Sequence, residues 1–269
     1  MPDGPAPLPV TRQTAGATGG AGHVQGDRRP PAGLRRLLSR LVRNYVHGMK
    51  RHERYLMDPV HGRSLPLRLA ARRWPAGSGP RSMTAPRAFS FQGIERVLPD
   101  SRGWHHQPWG QDWIGQLHRF DDLNATDAEQ RRDWHRALVL NWAVSNGPGR
   151  GPGWEAPSLA PRIVNWIKWD LRSGGLSSET TRRSLVVQIR YLRHFFSRQW
   201  RDGSRPDIAK ALIFAGSYFA DSRESRAWLR KGLRALNTLE PTALSTEDLR
   251  DLALLSLVYP DLHPPHGHR

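Results

Sequence analysis

From about residue 109 almost to its end, this chain is written as a succession of helices with punctuated ends. That run limits the possible folds more than any other feature. Apolar residues return at a spacing of about 3.6, and Gly/Pro loops interrupt them. Thr126-Asp127-Ala128-Glu129 reads as a capping box that opens a helix through Trp134, Leu138 and Trp142 and stops at Asn146-Gly147-Pro148. Ser177 or Ser178 caps another helix, in which Leu185, Ile189, Leu192 and Phe196 share one face. Asp207–Phe219 and Ser222–Leu239 read as two more, and Ser245-Thr246-Glu247-Asp248 caps a last one. Five or more helices joined by short loops predict antiparallel hairpins. The fold class is therefore all-α, with an irregular N-terminal region.

The remainder divides by composition. Residues 1–31 are rich in Gly, Pro and Ala and read as a disordered leader. Residues 32–100 combine a basic helix over 33–57 with short Pro-punctuated pieces, among which Phe89-Ser90-Phe91 suits a brief strand. Leu34, Leu37, Leu38, Leu41, Val42 and Tyr45 give that helix an apolar stripe. It suits packing on the domain behind it, or a membrane surface through Arg35, Arg36, Arg40 and Arg43. Residues 101–259 form the helical portion and 260–269 a tail carrying His263, His266 and His268. The net charge of +17 is uneven: residues 1–90 hold 16 Lys and Arg against 4 Asp and Glu, and residues 91–269 hold 25 against 20. The excess thus lies mostly outside the helical portion. Arginine pairs at 28–29, 35–36 and 72–73 suit phosphates, but no nucleic-acid-binding motif accompanies them, so nucleic acid is not the expected partner. The absence of cysteine excludes disulfides and thiolate metal sites. No apolar run approaches the roughly 18 residues of a transmembrane segment. No apolar leader core is legible either, which makes the cytoplasm the default location.

Two segments invite a chemical reading. The loop from Gly147 to Gly153 looks like a phosphate cradle only superficially, because no Lys-Ser/Thr follows it and two prolines remove backbone donors. The helix Arg162-Ile163-Val164-Asn165-Trp166-Ile167-Lys168-Trp169 is more informative. Ile163, Val164, Ile167 and Leu171 fall on one side of the wheel, and Arg162, Asn165, Trp166 and Trp169 on the other. Two readings fit that second face. Either the helix is buried on both sides, or its indoles stack on sugar rings while the guanidinium holds a carboxylate or sulfate.

The motifs Gly153-Trp154-Glu155 and Arg162–Trp169 resemble the N-terminal domain of the heparinase II/III family. So do the segments 209–216 (Ala-Lys-Ala-Leu-Ile-Phe-Ala-Gly), 117–121 (Leu-His-Arg-Phe-Asp) and 228–233 (Trp-Leu-Arg-Lys-Gly-Leu). The resemblance runs in order from about residue 60 to 258. It implies an incomplete α/α toroid of antiparallel helical hairpins, whose groove holds an acidic polysaccharide such as a glycosaminoglycan or alginate. It also implies a β-elimination lyase, normally with a large C-terminal β-sandwich behind the toroid. The residues expected to border the substrate are Trp154, Glu155, Arg162, Asn165, Trp166, Trp169 and His118. No metal and no cofactor is expected.

The reaction residues fare differently. Removing a weakly acidic proton beside a uronate carboxylate needs a donor on that carboxylate, a base, and an acid for the leaving oxygen. The resemblance implies an Asn-His pair as the donor and a Tyr in a later loop as the base. Here the pair falls on Gly203 and Ser204, and a further family Asn on Ile208. The Tyr-bearing loop is replaced by the short stretch from Leu239 to Leu244, and Tyr259 lies in no matching context. The expectation is a domain that keeps a glycan groove and lacks catalytic residues. The alternatives are a working lyase, with relocated groups at His118, His194 or Tyr191 or completed by a partner chain that supplies the β-sandwich, or a basic module that binds nucleic acid or protein.

Overall fold

The computed structural model describes residues 65–99, 101–195 and 205–261, all of which fall within one compact unit, Met49–Arg269. The leader 1–31, the basic helix 33–57, Gly203, Ser204 and the tail histidines lie outside the described residues.

The alternation at Phe89-Ser90-Phe91 produces a strand. It is the middle of a three-stranded antiparallel meander: β1 (Met83–Ala85), β2 (Ala88–Phe91) and β3 (Ile94–Val97). Between β2 and β3 only Gln92 and Gly93 intervene, both with positive φ (53° and 78°), the two-residue turn that matches strand twist. Met83, Phe89 and Phe91 turn inward beneath the helices.

Seven α-helices follow among the described residues, so the chain is predominantly helical, as expected. They are α1 (Gln111–Arg119), α2 (Arg132–Ser145), α3 (Ala156–Ser173), α4 (Glu179–Phe195), α5 (Pro206–Tyr218), α6 (Arg223–Leu236) and α7 (Thr246–Val258). Three predicted starts are present as hydrogen bonds. Ser178 Oγ accepts from the Thr181 amide at 3.2 Å. Ser222 and Ser225 form a reciprocal capping box, and so do Ser245 and Asp248. The expected box at Thr126 does not form. The Thr126 amide and hydroxyl both donate to the Gly79 carbonyl, at 2.9 and 3.4 Å, and Asp127 takes a left-handed φ of 56°. Helix α2 therefore begins only at Arg132, after a short turn, because a partner distant in sequence has taken the capping group.

Helix α3 lies at the centre, packing on α1, α4 and α5. It is buried on both sides: Ile163 and Ile167 on one, Arg162, Trp166 and Trp169 on the other, all at 0–1% exposure. Helices α5 and α6 form the closest pair. A Cβ on Gly216 would sit 2.5 Å from the Leu229 amide, and one on Gly232 would sit 2.7 Å from Ile213 Cγ1. Pairing of 216 with 229 and 213 with 232 makes this hairpin antiparallel. Buried ion pairs fasten the rest. Arg190 of α4 grips Glu224 of α6 through two 2.8 Å bonds. On α7, Asp251 receives Lys168 of α3 at 3.0 Å and Lys210 of α5 at 2.6 Å. Such pairs are costly to break from one side, because the remaining charge is left in a dry place.

Candidate functional site

Arg162 anchors the interior. Its Nε donates to Gln188 Oε1 at 2.9 Å, Nη1 to the His118 carbonyl at 2.9 Å and Nη2 to the Gly153 carbonyl at 2.6 Å. The guanidinium also lies 3.8 Å from the Trp142 ring centroid. Burial works against its charge, and these acceptors with the ring hold it in place. The guanidinium has no face left for a ligand, so direct pairing of Arg162 with a substrate anion is excluded. Trp166 stands edge-on to Phe120 and Trp142, and Trp169 edge-on to His135, so both indoles are core.

His118 is likewise saturated. Its Nε2 donates to the Trp104 carbonyl at 2.9 Å, which leaves Nδ1 to accept from Trp142 Nε1 at 2.9 Å. Burial, and secondarily the charge of Arg162, push its ring down to about 3. It is a neutral bridge inside the core and cannot serve as a proton-transfer group in a groove. Asp122 forms the matching structural hub. Burial alone would raise its carboxyl. Instead His135, Arg131 and the Ser82 and Met83 amides, at 2.6–2.9 Å, hold it well below the usual range.

Trp154 and Glu155 behave differently. Two clefts of about 460 and 500 Å³ share Gln111, Gly151 and Pro152, and so form one groove across the Gly-rich loop. Trp154 borders it from beneath, edge-on to Tyr191 at 4.9 Å, and Glu155 stands exposed at the start of α3. His105, Gln107 and Arg150 line one half, and Tyr191 and Arg205 the other. Arg205 is held by Asp207 at 2.7 Å, whereas the Arg150 side chain is exposed and makes no ion pair among the described residues. Partial burial lowers the His105 ring, which favours its neutral form.

The glycines explain how the loop forms this groove. Gly149 and Gly151 hold φ values of 72° and 78°, where other residues are strained. A Cβ on Gly151 would strike the His105 ring, and one on Gly153 would sit 2.5 Å from His118 Nδ1. The loop is glycine-rich so that it can lie flat against three aromatic rings, those of His105, His118 and Tyr191. Of the groove's residues the sequence singled out Trp154, Glu155 and, as an alternative base, Tyr191. Arg150, Gln111 and His105 were passed over. The only signal at Arg150 was the loop itself, whose resemblance to a phosphate cradle fails, and Gln111 and His105 carry none.

Asn165 is separated from this group. Its side chain lies on a different cleft, of about 600 Å³, beside Asp121 and Lys168. The predicted site residues therefore divide three ways: a core set (Arg162, Trp166, Trp169, His118), a groove pair (Trp154, Glu155) and Asn165 alone. Ile208 is fully buried in α5, and Tyr259 is buried at the end of α7. His194 lies on the outer side of α4. No helix among the described residues is long and apolar enough to cross a membrane. Comparison with protein families, with curated proteins and with solved structures returns no match.

Proposed function

We propose that this chain is a heparinase II/III-like domain, an incomplete α/α toroid of helical hairpins, that binds an acidic polysaccharide without cleaving it. The observation that carries the reading is the open groove over Trp154 and Glu155, with Arg150, exposed and in no ion pair among the described residues, on its rim and Gln107, Gln111 and Tyr191 along it. Amide and hydroxyl groups suit sugar hydroxyls, and an unpaired guanidinium suits a uronate carboxylate or a sulfate. The motifs behind the resemblance support the frame. The Lys of the Ala-Lys-Ala-Leu segment ties α5 to α7, and the Gly of the Trp-Leu-Arg-Lys-Gly-Leu segment lets α6 approach α5. The lack of turnover rests on the replaced Asn-His pair and the missing Tyr loop. One lost oxyanion-type donor alone costs about 10²–10³ in rate.

The test is a glycan array with the full chain, followed by titration of the best acidic polymer against the wild type and Arg150→Ala. Binding should weaken about tenfold in the variant, the scale of a charged hydrogen bond. Absorbance of unsaturated uronate products should stay at background. Equal binding of acidic and neutral polymers, or an unaffected Arg150→Ala, would overturn the groove assignment. Turnover abolished by Tyr191→Phe would instead establish a lyase with a relocated base.

A further inference from the structure

The cleft of about 600 Å³ beside Asn165 is bordered by buried polar groups, and the groove reading does not use it. The segment Trp74–Pro80 crosses here over α3 and α7. It is fastened by the Gly79 amide to the Asn124 carbonyl at 3.1 Å, and a side chain at Gly77 would strike that same carbonyl. The floor is polar and rigid. Asn165 Nδ2 donates to Asp121 Oδ1 at 2.8 Å, and Lys168 Nζ to both Asp251 oxygens at 3.0 and 3.1 Å. Asn165, Lys168 and Asp251 are 8%, 7% and 4% exposed, so these groups are positioned before any ligand arrives. The rim is open. Glu247, with its side chain 78% exposed, lies 4.0 Å from Lys168, and Arg250 and Arg119 project nearby.

The charges of this lining alternate. Asp121, Glu247 and Asp251 are interleaved with Arg119, Lys168 and Arg250. The six charges balance, so the lining offers a polyanion no net attraction. Lys168 is already bound to Asp251 and Arg119 to Asp121, at 3.2 Å, so the groups that face a ligand are chiefly Glu247, an acceptor, and Arg250, a donor. A ligand whose groups both donate and accept suits that pair, and vicinal sugar hydroxyls have that property. Pro75, Pro80 and Leu254 add an apolar wall for the C–H side of a ring, and a cleft of this size is in the range of small-molecule sites. We infer that this cleft binds a neutral mono- or disaccharide through Glu247 and Arg250 at the rim and the Asp121–Asn165 pair at the floor. It is separate from the groove. The two share no lining residue, and the helix between Glu155 and Asn165 rises about 15 Å.

The experiment titrates the full chain with cellobiose and with N,N′-diacetylchitobiose, by saturation-transfer NMR and calorimetry, with free glycine as a competitor. At least one disaccharide should bind, with an affinity nearly indifferent to added salt. Glu247→Ala and Arg250→Ala, both exposed positions on α7, should each weaken it about tenfold, whereas Arg150→Ala should leave it unchanged. Circular dichroism identifies any variant that fails to fold, and Glu247→Gln then repeats the measurement with the shape kept. Binding of neither disaccharide, binding insensitive to Glu247, or displacement by glycine would each overturn the assignment, the last in favour of a zwitterion site. Failure of the acidic-polymer titration would leave these outcomes untouched, so the two readings fail separately.

Discussion

At the scale of single residues, the groups that look most chemical are structural. His118 has a folded-state value of about 3 against an ordinary 6.5, because burial and Arg162 disfavour its charged form. Below pH 6.5 the unfolded chain therefore takes up a proton that the folded chain refuses. This stabilisation is complete above pH 6.5 and is lost as pH falls from 6.5 toward 3, at about 1.4 kcal/mol per pH unit. Asp122, held below its ordinary 3.8, adds a loss of the same sign only at still lower pH. Urea unfolding at successive pH values should show this slope, and a flat profile between pH 6.5 and 4 would contradict it. Arg162→Ala leaves Gln188 and two carbonyls without their donor, each worth about 1–3 kcal/mol when buried. The expected loss is about 3–5 kcal/mol of stability, with glycan affinity unchanged wherever the variant is still folded. The sequence separates the two faces of α3 correctly, but a helical wheel gives angles, not neighbours. The acceptors of Arg162 are the Gln188 side chain and the backbone carbonyls of residues 118 and 153, which no spacing rule reveals.

At the scale of elements, helix starts are legible where the capping group answers its own backbone. Ser178, Ser222 and Ser245 each accept from an amide three residues on. Thr126 is misread because its donors go to Gly79, 47 residues away. The helical glycines divide on the same principle of what lies next to them. Gly115 in α1 has only Ser158 Oγ near its missing Cβ, at 3.8 Å, while Gly232 faces Ile213 Cγ1 at 2.7 Å and the Ala209 carbonyl at 2.9 Å. Gly115→Ala should stabilise by up to about 1 kcal/mol through reduced backbone freedom. Gly232→Ala should destabilise by about 1–3 kcal/mol through overpacking. Thermal unfolding of the two variants side by side tests both, and equal shifts would show that α5 and α6 are not in such close contact.

At the scale of the whole molecule, the helical class follows from periodicity, but the location of the open surfaces does not. A groove is where packing stops, and its residues carry no periodic mark. Arg150 and Gln111 look like ordinary loop and helix-start residues, and the two clefts take their residues from widely spaced segments. For the groove, attraction through an exposed Arg150 should fade as ionic strength rises, over a screening length of about 10 Å at 0.1 M salt. The neutral cleft should not respond. The dense indole core has an optical consequence as well. Trp104, Trp142, Trp166, Trp169 and Trp228 are screened from solvent, while Trp154 alone among the described indoles borders the groove. Intrinsic fluorescence of this chain is thus a gauge of whether it is folded. An occupied groove would change little of that light, and a ligand is better followed by a dye placed on the loop's outer edge.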